Sequence, residues 1–102
     1  MSFMKLIDIT RSHSEMVNEQ LANTDANFVK VYSLGQTTVI YTGAPTHQDI
    51  IILNKHRRIQ QKEIDFVANR LFKDQSDFEI IHCDYFVELS VSIQEKRPMF
   101  AK

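Results

Sequence analysis

Tryptophan is absent from the 102 residues, cysteine occurs once, and glycine and proline occur twice each. Each scarcity excludes something. A lone Cys83 cannot form an internal disulfide, so the chain must be held by its core, and a single thiol suits a reducing compartment. So little Gly and Pro leaves no room for a flexible linker between domains. No apolar run approaches the ~20 residues of a membrane span. The opening MSFMKLIDITRSH lacks the long apolar stretch and small-residue cleavage site of a signal peptide. No CxxC, HxxxH or glycine-rich phosphate motif occurs. These absences lead us to expect a cytoplasmic protein with one domain over residues 1–95 and a frayed tail over 96–102.

What is present is ordinary in amount and uneven in placement. With 43% hydrophobic and 25% charged residues the chain belongs with globular proteins and not with disordered ones. Twelve Lys and Arg against 13 Asp and Glu argue against a dedicated duplex-DNA binder, which carries a broad basic face. Residues 55–73 nevertheless concentrate Lys55, Arg57, Arg58, Lys62, Arg70 and Lys73, whereas 74–95 carry six acidic residues and no Lys or Arg. Two solvated surfaces that balance each other are the ordinary explanation of such a division.

The strongest local signal is Phe28 to Thr42, two β-branched and aromatic runs flanking Leu34-Gly35-Gln36-Thr37. Gly35 stands first in a two-residue loop, where a type II′ turn needs positive φ, so a hairpin is predicted. Its register pairs Val31 with Ile40, Val29 with Thr42 and Ser33 with Thr38 on one face. Tyr32 pairs with Val39, Lys30 with Tyr41 and Leu34 with Thr37 on the other. Neither face is uniformly polar. Around the hairpin, Met4–Ile9 reads as a strand, and Ser12 with Glu15 has the spacing of a capping box that starts a helix near His13. Val17 and Leu21 give that helix its apolar stripe, and Asn23-Thr24-Asp25 ends it. Residues 48–54 read as a strand, the alternative being a short helix capped by Thr46. Ile64, Val67, Ala68 and Leu71 form a helical stripe that leaves Lys62, Glu63 and Asp65 outside it. Two further strands follow, Phe78–Cys83 and Tyr85–Ile93.

The order β-α-β-β-β-α-β-β implies an α+β, two-layer sandwich: a mixed five- to six-stranded sheet with two helices on one face. Strands joined through a helix should run parallel. The loops after the first, fourth and fifth strands then share one rim, bringing Ser12 and His13 to Lys55, His56, Arg57 and Arg58. Ser12, Lys55, Arg57 and Arg58 are the candidate anion-binding residues. The face away from both helices would expose Tyr32, Leu34, Val39 and Tyr41, the candidate interface of a homodimer.

Other constellations are weaker. His82, Cys83 and Asp84 are adjacent on a strand and point to opposite faces, so they do not close on one ion, and no metal or cofactor is expected. His47 with Asp49 and Thr46 has the composition of a general-base pair, and Asp8 ends a strand where a carboxylate often works in α/β enzymes. Phe66 and Phe72 lie within a helix as core, which leaves no stacking residues beside the basic stretch for single-stranded nucleic acid. No catalytic constellation emerges.

Tyr41-Thr42-Gly43-Ala44-Pro45-Thr46-His47, Asn54-Lys55-His56-Arg57-Arg58 and Gln61-Lys62-Glu63-Ile64 resemble a family of small uncharacterised proteins from Gram-positive, lactic-acid and related bacteria. The resemblance spans nearly the whole chain. It implies a cytoplasmic bacterial protein with no established activity and carries over no catalytic residue. The leading expectation is a small non-enzymatic interaction or regulatory domain acting as a homodimer. The alternative is a binder of a small anion, nucleotide or RNA backbone through residues 55–58.

Overall fold

Gly35 takes φ of +63°, and no other described residue is left-handed. Positive φ at the first turn position and negative φ at the second is the type II′ combination. That turn sets the register: Leu34 lies opposite Thr37, Tyr32 opposite Val39, Val31 opposite Ile40 and Val29 opposite Thr42. The hairpin comprises β2 (Phe28–Leu34) and β3 (Thr37–Gly43) in a computed structural model that describes residues 4–73, 79–82 and 86–92. Around it stand β1 (Ile7–Asp8), α1 (Ser14–Asn23), β4 (His47–Leu53), α2 (Gln61–Leu71), β5 (Glu79–His82) and β6 (Phe86–Ser92). Cys83, Asp84, Met99, Phe100 and the expected tail lie outside the described residues.

The class is α+β, and the sheet is open and antiparallel throughout, in the order β1-β2-β3-β4-β6-β5. A mixed sheet was expected, and β1 with β2 is where that fails. Ile7 pairs with Ser33 and Asp8 with Tyr32, antiparallel. The chain leaves β1 and enters β2 at the same edge, so α1 is an excursion and not a crossover. The parallel rule applies where a helix traverses the sheet, as α2 does between β4 and β5, which run in the same direction on either side of β6.

The helices also take opposite faces, which corrects the two-layer expectation. Under α2, Ile64, Val67, Ala68 and Phe72 pack on Leu34, Val39, Ile50, Ile52, Val87 and Leu89, with Tyr32 and Tyr41 at the margin. Burying each large side chain of this set stabilises by roughly 1.5–3 kcal/mol. Under α1, Val17 packs on Val29 and Val31, with Ile9, Met16, Ala26 and Ile40 beside them. A hairpin apolar on both faces needs cover on both, and each helix supplies one side. β4 shows the same two-sidedness: Ile50 and Ile52 are buried beneath α2, while Ile51 and Leu53 are half-buried on the other face.

α1 covers less than its pattern suggests. Val17 is its one buried residue among those described, and Leu21, expected in the stripe, is 38% exposed. Its start differs too. A 3-10 turn over Thr10–His13 precedes α1, and the Ser12 hydroxyl makes no cap. Asp8 ties down the entry to the 3-10 turn, accepting from the Thr10 N–H at 2.9 Å and the Thr10 hydroxyl at 2.6 Å.

Candidate functional site

Two places gather polar side chains, at opposite edges of the sheet. The first lies where the β4–α2 connection meets the hairpin turn. Glu63 sits at the third position of α2, where a carboxylate faces the unpaired N–H groups of the first helical turn. It accepts from the Gln60 N–H at 2.8 Å. Both carboxylate oxygens also accept from Arg57, Nη1 to Oε1 and Nη2 to Oε2, each at 2.8 Å. The Thr37 hydroxyl donates to Oε2 at 2.9 Å and in turn accepts from Asn54 Nδ2 at 3.2 Å. Asn54 Oδ1 takes the His56 N–H at 2.8 Å.

Thr37, Asn54 and Glu63 are all buried and all partnered. The Arg57 guanidinium, followed by the Gln60 N–H and the Thr37 hydroxyl, holds the Glu63 carboxyl down at about 2 although burial pushes the other way. The pair therefore stays ionised at neutral pH and ties three segments together: the turn, the end of β4 and the start of α2.

This arrangement revises the expected anion site. Antiparallel pairing of β1 with β2 sends the loop after β1 to the edge opposite the loop after β4. Ser12 is thus separated from Lys55, Arg57 and Arg58 by the length of the strands, and its N–H is bound to the Ile9 carbonyl. Lys55 and Arg58 are exposed, and Arg57 gives its Nη1/Nη2 edge to Glu63. Glu63 lies outside the apolar stripe of α2 and is nevertheless buried. Its placement four residues before Val67 and three after Gln60 is the one local signal that could have marked it as a helix-start carboxylate.

The second place is a groove of about 470 Å³ between α1 and the part of its sheet face that α1 leaves uncovered. Met16, Ala26, Ile40, Ala44 and Ile51 form an apolar floor, and Asp25, Asp49 and Glu88 ring it, with no Lys or Arg among the described lining residues. The carboxylates belong to this face by register: Thr42 lies opposite Asp49, Asp49 opposite Ser90, and Ile51 opposite Glu88. His47 Nε2 stands 3.3 Å from Asp49 Oδ2, and its Nδ1 is 3.2 Å from the Thr46 hydroxyl. Thr46, His47 and Asp49 thus form a hydroxyl–imidazole–carboxylate chain, but on an open lip where the His47 side chain is 43% exposed. Low-dielectric surroundings, which make such a chain catalytic elsewhere, are missing there.

The remaining sequence candidates are accounted for. Leu34 and Val39 are core beneath α2, with Tyr32 and Tyr41 half-buried against it, so they present no face to a second copy. Asp8 is spent on Thr10 and held below its ordinary value by those two hydrogen bonds. Phe72 is buried, while Phe66 is half-buried under the Arg70 guanidinium, 5.1 Å from its ring centre. Of the described residues, no group of three or more His, Cys, Asp or Glu could hold a metal ion, and no helix is long and apolar enough to cross a membrane.

Comparison with known proteins yields one family and one fold. The family described as Domain of unknown function (DUF1827) matches residues 4–92. A conserved protein of unknown function from Streptococcus thermophilus, known from its crystal structure, is 38% identical with a TM-score of 0.82. The match covers 88% of this chain and 97% of that one. None of the curated proteins matches.

Proposed function

This chain belongs to the DUF1827 family, and we propose that it is a small non-enzymatic interaction domain whose α1-side groove receives a short cationic, apolar segment of a partner protein. One observation carries the reading: an apolar floor ringed by Asp25, Asp49 and Glu88, with no lysine or arginine among the described residues of its lining. The uncovered strands offer alternate apolar side chains, Ile40 and Ile51 side by side, as a bed for a chain of alternating Lys and Leu. The same charges argue against a homodimer on this face, because a two-fold axis would bring Asp49 and Glu88 against their own copies. Charge complementarity selects a basic partner instead.

The test is fluorescence anisotropy with a labelled peptide of alternating Lys and Leu, alongside its Glu-and-Leu counterpart. The basic peptide should bind and weaken as salt rises, and the acidic one should not bind. Asp49→Lys with Glu88→Lys should weaken binding by about tenfold or more. Binding that survives the double reversal unchanged, or no binding at about millimolar protein, rejects the reading.

A further inference from the structure

We propose that a second cleft, between the start of β1, the hairpin turn and the start of α2, binds the phosphate of a small organic phosphate monoester, a nucleoside monophosphate being the type. The cleft holds about 480 Å³, within the usual size of small-molecule sites of roughly 300–1,000 Å³. Lys5, Arg57 and Lys62 line it. Among the described lining residues Glu63 is the one carboxylate, and four hydrogen bonds already fill its oxygens. Three cations against one neutralised carboxylate leave two positive charges with no anion of their own among the described residues of the cleft.

The geometry of Arg57 distinguishes this from a scatter of surface lysines. A guanidinium presents an end-on edge, made by Nη1 and Nη2, and a side-on edge, made by Nε and Nη2. Glu63 takes the end-on edge, and the second Nη1 hydrogen goes to the Arg58 carbonyl at 3.0 Å. The side-on fork, Nε–H with the remaining Nη2–H, is left over. A buried carboxylate thus fixes the plane of an arginine that is itself 42% exposed and has a bidentate oxyanion fork unspent. Lys5 and Lys62, both exposed, flank it, and the first N–H groups of α2 add a favourable dipole. Met4, Ile7 and Leu34 supply an apolar ledge beside these donors, with Ile7 53% exposed. A ligand with a dianionic end and a flat apolar end matches both parts. This site is independent of the α1-side groove.

Isothermal titration with AMP, inorganic phosphate and adenosine tests the assignment on the whole chain at low salt. AMP should bind, phosphate more weakly, and adenosine not measurably. Lys5→Gln with Lys62→Gln, two exposed positions whose loss leaves folding intact, should weaken AMP by about tenfold or more. Lys55→Gln with Arg58→Gln, on the same edge but outside the cleft, should leave it unchanged. The proposal is overturned if AMP does not bind at about 10 mM, a concentration at which a single charge-assisted fork suffices for detectable occupancy. It is equally overturned if the Lys55/Arg58 pair weakens AMP as much as the Lys5/Lys62 pair, or if phosphate binds as tightly as AMP.

Discussion

Replacing Glu63 by Gln removes one charge while nearly preserving shape, so it isolates what the Arg57–Glu63 clamp contributes. The carboxyl titrates at about 2 in the folded protein against an ordinary value of 4.5. The folded value is the lower one, so the stabilisation is complete above about pH 4.5 and is lost as pH falls toward about 2. That depression corresponds to roughly 3 kcal/mol at neutral pH. The Glu63 side chain is 5% exposed, so water screens little on its side, whereas Arg57 at 42% can rehydrate once its partner is neutral. The net cost of Glu63→Gln should therefore be about 2 kcal/mol near pH 7. Urea denaturation of both proteins near pH 7, 5 and 3.5 measures it. The gap should stay constant between about pH 7 and 5 and narrow by about 1 kcal/mol at about pH 3.5, because only the wild type must protonate a held carboxylate on unfolding. If the two stability curves remain parallel down to about pH 3.5, Glu63 is not held by Arg57 and the clamp is wrong.

Two other perturbations test the packing. Val39→Glu places a carboxylate at a fully buried position beneath α2, so the protein should lose its cooperative thermal transition; a folded variant by circular dichroism would return Val39 to a surface. Gly43→Val puts a side chain where the Phe28 ring lies, directly across the ladder from it. The ring, which meets Tyr41 edge-on at 5.0 Å, must move, at a cost of about 1–3 kcal/mol in urea, and an unchanged midpoint would show that Phe28 does not cover Gly43.

Much of the local structure was legible in the residues. Gly35 is the one position between two β-branched runs that accepts positive φ, and a two-residue loop leaves one register, so every hairpin pair followed from it. The stripe of Ile64, Val67 and Ala68 placed α2, and the apolar, isoleucine-rich run Ile50 to Leu53 placed β4. The membership in a family without assigned function was also within reach of the motifs from Tyr41 to Ile64. Larger questions turned on choices to which local patterns are blind. Both faces of the hairpin are apolar, so alternation could not say which helix covers which, and the tertiary structure gave Val39 to α2 and Val31 to α1. The direction of β1 against β2 depends on whether α1 crosses the sheet or returns to its starting edge. That single reversal moved Ser12 to the far rim from Lys55, Arg57 and Arg58. Glu63 is buried where Thr37, backed by Asn54, and Arg57 converge on it from the turn and the loop after β4, and no helical periodicity encodes a partner outside the helix. Short-range sterics and burial period are written along the chain; the pairing of distant polar groups exists only once the chain has closed on itself.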